Sequence, residues 1–189
     1  MVSSTSLISL GRSHMRPFRC WVLSLRIPPS QGRRMVLVTD KAVSALRPWR
    51  AIQSLTEGVR LGLVSSRLVI ATDTSLRGWG GHLPGADGQR LMGGGPSCCT
   101  HQLLGIDCCA AGPLSLSLSW IRQQLVLVRT VNLTSKFYIN KQGGLRSHRL
   151  VGLTRSFSLW GHEHIASLRA EYVPGLLNCG ADLLSKGQP

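Results

Sequence analysis

Acidic side chains are scarce in this sequence, 8 Asp and Glu in 189 residues, so the places where they stand carry weight. Asp73 follows an apolar run, residues 67–72; Asp107 falls in a stretch of helical spacing; Asp182 sits inside Asn178-Cys179-Gly180-Ala181-Asp182-Leu183-Leu184-Ser185. His162-Glu163-His164 supplies metal-ligand types, but at the end of a helical stretch these residues read as a solvated polar turn, and no catalytic role is assigned to them. Six cysteines occur, at 20, 98, 99, 108, 109 and 179. The two adjacent pairs lack the loop that lets C-x-x-C wrap one zinc, and they match no secreted disulfide framework. Free thiols in a reducing compartment, cytoplasm or nucleus, are the expectation. No Ser-His-Asp arrangement or phosphate-cradling glycine loop stands out, and residues 93–96 read as an ordinary loop.

Cations dominate instead. Lys and Arg number 22, so the formal charge is +14, and phosphate is the natural partner of such a field. Charge does not separate duplex, hybrid and single strand. No apolar run approaches the roughly 20 residues that span a bilayer, which argues against a membrane protein. The segment before Asp40 has no acid and is rich in Ser and Arg, the composition of a mitochondrial transit peptide.

The elements that must position these residues follow from period and punctuation. Residues 1–15 show no periodicity and are expected to be disordered, and 16–34 read as a basic linker or docking segment broken at Pro28-Pro29. Asp40 can cap a short helix that stops before Pro48. Residues 67–72 read as a buried strand, and extended runs after Gly78 and over 89–92 complete a three-strand meander. Thr100 can cap a helix along Leu103, Leu104, Asp107, Ala110 and Ala111, with Pro113 stopping or kinking it. Residues 114–120 are locally ambiguous. Residues 125–130 form a strand, 132–142 a helix ending at Gly143-Gly144, and Ser147 caps a helix to Trp160. A strand over 168–173, a Pro174-Gly175 turn and a helix over 178–186 close the chain. This order suits a mixed sheet covered by helices.

Several motifs in that order carry a resemblance. Asp73-Thr74-Ser75 with Gly78-Trp79-Gly80, Tyr138-Ile139-Asn140-Lys141-Gln142-Gly143-Gly144-Leu145, Ser167-Leu168-Arg169-Ala170 and the stretch from Asn178 to Ser185 resemble the RNase H domain of reverse transcriptases, particularly of DIRS-type and related retroelements. The likeness covers about residues 67–186. It extends back through Ala45-Leu46-Arg47-Pro48-Trp49 and Gly58-Val59-Arg60-Leu61-Gly62, which look like the segment joining polymerase to RNase H. It implies an α/β fold, an RNase H-like mixed five-stranded sheet with helices on both faces. The implied division is a disordered or remnant basic segment over 1–40, a connecting segment over 41–66 and the RNase H-like domain over 67–189. A remnant polymerase tail also accounts for the basic N-terminus better than a transit peptide does.

The chemistry this resemblance implies is hydrolysis of RNA in an RNA–DNA hybrid by two magnesium ions, held by four carboxylates about one hard-oxygen cage. The first position falls on Asp73 and the last on Asp182. The second falls on Ile106, with an acid one place later at Asp107, and the third on Val131, followed by Asn132. Adjacent helix residues point about 100° apart, so Asp107 serves only if the alignment slips by one. Valine and isoleucine bind no metal, and Pro113 breaks the helix of the second position, so weakened magnesium binding and lost hydrolysis are expected. Lys136, Asn140, Lys141, Arg146 and Arg149 are the candidate contacts to nucleic acid, against the plain alternative of a solvated basic face. Three functions stay open: an inactive domain that still binds hybrid or duplex, a working ribonuclease H using Asp73, Asp107 and Asp182, and a retroelement fragment without function.

Overall fold

A computed structural model describes residues 8, 10–28, 30, 33–51, 56, 58, 66–75, 79–83, 90–93, 121–145 and 147–186. Within it the chain divides into two compact units, Met1–Gly62 and Leu63–Pro189.

The first unit holds helix α1 (Gly11–Ser24) and helix α2 (Asp40–Leu46), which pack on one another, and a 3-10 turn, Arg47–Arg50, that carries Pro48 at its start. A helix from Gly11 corrects the expectation of disorder to residue 15 and of a linker beyond it. The physical reason is that Pro17 stands inside α1 and its buried residues, Gly11, Ser13 and Arg16, do not follow the apolar spacing of Met15, Phe18 and Val22. Contact with α2 supplies what local sequence does not. Asp40 opens α2 from within its first turn; Thr39 precedes it, and its side chain makes no capping bond.

The second unit is built on five strands: β1 (Leu68–Thr74), β2 (Trp79–His82), β3 (Arg90–Gly93), β4 (Leu125–Thr130) and β5 (Ser167–Tyr172). Their order across the sheet is β3-β2-β1-β4-β5, antiparallel from β3 to β1 and parallel from β1 to β5. Helix α3 (Leu133–Asn140) and helix α4 (His148–His164) form the crossover between the parallel strands β4 and β5, and helix α5 (Cys179–Ser185) follows a 3-10 turn, Gly175–Leu177. This is the mixed five-stranded sheet anticipated from sequence.

Side-chain alternation splits the two faces. Leu68, Ile70 and Thr72 pair with Val126, Val128 and Thr130, and Ile70, Val126 and Val128 are fully buried in one cluster with Ile121, Ile139 and Phe157. Each such aliphatic side chain contributes about 1.5–3 kcal/mol. That face carries α3 and α4; α5 lies on the other, against β1 and β2. Helices therefore cover both faces. Asn132 caps α3 by accepting the Ser135 N–H at 3.1 Å, and Ser147 caps α4 by accepting that of Leu150 at 3.3 Å. Helix α4 runs four residues past Trp160, which puts His162-Glu163-His164 in its last turn. His164 Nδ1 lies 2.8 Å from the Trp160 carbonyl, and the two rings stack at 5.2 Å. Among the described residues, no helix is long and apolar enough to cross a membrane.

Candidate functional site

The site is assembled where α5 lands on β1. Strand β1 continues through Asp73 to Thr74, so the carboxyl of Asp73 projects from the sheet itself rather than from a loop beyond it. In the antiparallel register Asp73 faces Gly80, and their side-chain directions therefore share the face that α5 covers. A Cβ built on Gly80 would stand 2.6 Å from the Ala181 carbonyl oxygen and 2.6 Å from the Ser185 nitrogen. Only glycine admits the helix backbone that close. Asn178, buried just before α5, donates its Nδ2 to the Thr72 carbonyl at 3.1 Å and accepts the Asp182 N–H on its own carbonyl at 3.0 Å. Ser75 donates its hydroxyl to the Ser185 carbonyl at the other end of the helix. Asp182 is thereby fixed opposite Asp73.

The two carboxyls lie close enough to interact directly. Burial pushes Asp73 up to about 6, and the like-charged neighbour Asp182 adds to the rise. The Thr74 N–H, donating to Asp73 Oδ1 at 2.8 Å, and the Lys186 ammonium oppose it. Lys186 Nζ stands 2.7 Å from Asp182 Oδ2, and that carboxylate holds the ammonium above its ordinary value.

The third expected position is in view. Val131 follows the last β1–β4 pair, Thr72 with Thr130, just as Asp73 does on the neighbouring strand. Val131 thus takes the position after β4 that Asp73 takes relative to the last paired residue of β1, and the Asn132 oxygen is occupied in capping α3. Ile106 and Asp107 lie outside the described residues, as do Pro113, Arg146 and the four cysteines 98, 99, 108 and 109. Two paired carboxyls, one of them dry enough to hold a proton near neutrality, suit one hard divalent cation. Among the described residues no group of three or more His, Cys, Asp or Glu could hold a metal ion.

The expected basic contacts are divided. Lys136 and Lys141 flank the exposed Phe137 ring, their ammonium groups 5.6 and 5.1 Å from its centroid. Arg149 is exposed in the first turn of α4. Asn140 is engaged elsewhere, since it donates to the Ala170 carbonyl at 2.7 Å and accepts the Ala170 N–H at 2.9 Å. This corrects its assignment to a nucleic-acid surface, because an amide held at both ends by β5 fastens α3 to the sheet. Sequence reasoning passed over Lys186, although its i,i+4 spacing from Asp182 was visible, and it gave Asn178 and Gly80 no individual role.

Comparison with solved structures finds this fold elsewhere. It matches LC11-RNase H1, solved in complex with an RNA/DNA hybrid, with a TM-score of 0.54 at 16% identity over 65% of this chain and 96% of that one. An RNase H1 from the halophilic archaeon Halobacterium salinarum NRC-1 aligns with a TM-score of 0.48 at 15% identity, over 63% of this chain and 94% of that one. The second unit has the RNase H fold. No protein-family model and no curated protein matches the chain.

Proposed function

We propose that this chain is a degenerate RNase H-like domain from a retroelement reverse transcriptase, which holds RNA–DNA hybrid or duplex and does not cut it. One observation carries the reading: Asp73 and Asp182 meet, while Val131 fills the neighbouring place where a third carboxylate would have to stand. Two carboxylates leave most of the charge of a magnesium pair unbalanced, so the second ion binds poorly and the two-metal reaction fails. Asp73 and Asp182 are the ligands of whatever single ion binds. The RNase H1 of similar fold was solved with a hybrid, which supports hybrid as the ligand here. The charge of +14 supports backbone contact through Lys136, Lys141 and Arg149. The retroelement origin rests on the spaced motifs, above all Gly78-Trp79-Gly80 and the stretch from Asn178 to Ser185. Two of those residues, Gly80 and Asn178, are the ones that seat α5.

The test pairs two assays on one preparation. Hybrid is retained in a gel shift at low ionic strength and released steeply as salt rises, with a log–log slope of about −0.9 per phosphate contacted. A labelled hybrid incubated with magnesium or manganese yields no product above background. Cleavage abolished by Asp73→Asn would overturn the reading in favour of a working nuclease; absence of any shift would reject binding.

A further inference from the structure

The cations are unevenly spread. Residues 1–62 carry nine arginines and one lysine against Asp40 and Glu57, a net +8, whereas the rest of the chain, twice as long, carries 12 cations and 6 acids, a net +6. We propose that the N-terminal unit is a nucleic-acid-binding surface in its own right, an arginine face that takes the phosphate backbone independently of the RNase H-like unit. The proposal does not rest on the nuclease reading.

Exposure, the choice of cation and the alignment of two arginines on one helix support it. The charge is presented outward: Arg12 and Arg19 on α1, Arg26 just beyond it, and Arg33 and Arg34 in the stretch that follows are all exposed. Such a concentration of one sign repels itself and costs stability unless a polyanion neutralises it. The choice of cation is the second. Arginine outnumbers lysine nine to one here, and its planar fork grips a phosphate through two parallel hydrogen bonds where lysine offers a point charge. Solubility alone would be served as well by lysine and better by acids. Third, Arg12 and Arg19 stand seven residues apart, on nearly the same line of α1, so their charges share one face.

An anionic membrane is the competing polyanion. A helix that lies in a membrane surface needs a continuous apolar stripe. The buried positions of α1 are Gly11, Ser13 and Arg16, and its exposed apolar residues, Val22 and Leu23, are confined to its last turn. The other apolar side chains of its face, Met15, Phe18 and Trp21, are partly buried within the unit, so no continuous apolar stripe is left exposed.

The experiment uses the full chain. Arg12→Gln, Arg19→Gln and Arg26→Gln are combined, and binding to an RNA–DNA hybrid and to a DNA duplex is measured across a salt series beside Lys136→Gln/Lys141→Gln. The triple variant loses about tenfold or more in affinity for both nucleic acids, its salt slope flattens by about 2–3, and the corresponding triple lysine variant recovers the slope. Limited trypsin digestion of the unaltered chain gives a readout that needs no variant: added duplex slows cleavage after Arg12, Arg19, Arg26 and Arg33. Unchanged affinity in the triple variant, no protection from trypsin, or capture by phosphatidylserine vesicles in place of nucleic acid would each overturn the proposal. Loss in the lysine pair alone would overturn it and leave binding by the RNase H-like unit standing.

Discussion

Asp73 carries its proton to unusually high pH, and stability follows from that. Its value in the fold, about 6, lies above its ordinary 3.8, so the protonated form is the one the fold favours. The contribution is complete below about pH 4 and is lost as pH rises through 6. Thermal denaturation of the metal-free chain shows a melting temperature that falls from pH 4 to pH 7. Asp73→Asn flattens that profile and stabilises the chain at pH 7 by on the order of 1–2 kcal/mol, because a neutral amide replaces a crowded, half-dry carboxylate. A divalent ion prefers the ionised pair and works in the opposite direction. Val131→Asp places a third carboxylate beside Asp73: it raises affinity for manganese by about tenfold or more in a calorimetric titration and lowers stability when metal is absent. Lys186→Met removes a competing ammonium and raises the same affinity by less than about fivefold, since the ion pair is solvent-exposed.

The seat of α5 on the sheet is a property of elements, and single atoms test it. Gly80→Ala forces β2 and α5 apart, because its Cβ would stand 2.6 Å from backbone atoms of the helix, and backbone cannot swing aside as a side-chain tip can. The expected loss is about 1–3 kcal/mol in urea denaturation, accompanied by weaker manganese binding although neither carboxylate was touched. Asn178→Ala withdraws the amide that ties the start of α5 to the Thr72 carbonyl and costs about 1–2 kcal/mol. If both substitutions lowered stability and left metal affinity intact, α5 would not be what brings Asp182 to Asp73.

For the whole molecule the governing quantity is a charge of +14 shared between two compact units. Under the proposed function, hybrid and duplex are held chiefly through phosphate, so affinity is expected to depend on salt more than on sequence. Neutralising Lys136 and Lys141 together weakens binding to different sequences alike and flattens the salt slope by about 2, with little change in melting temperature, because both ammonium groups lie at the rim of an exposed ring. Affinity that varied with sequence after this change would point to base contacts instead.

Much of the RNase H-like unit was legible in its residues. Strands such as 125–130 announce themselves by apolar β-branched runs, and the caps Asn132 and Ser147 by their chemistry, because strand period and helix capping are local rules. The chemistry of Val131 was equally local: no fold turns a valine into a metal ligand. Residue types did not reveal that α1 is a helix, since its buried residues are polar or small and its stability comes from α2. They did not reveal that Asn140 points into the sheet, because an amide serves a β-strand as readily as a phosphate. Nor did they reveal that Lys186 guards the carboxyl pair. The meeting of Asp73 with Asp182, and the burial that lifts one of them to about 6, join residues from opposite ends of the unit. Burial and proximity across such separations are properties of packing, and only the folded chain decides them.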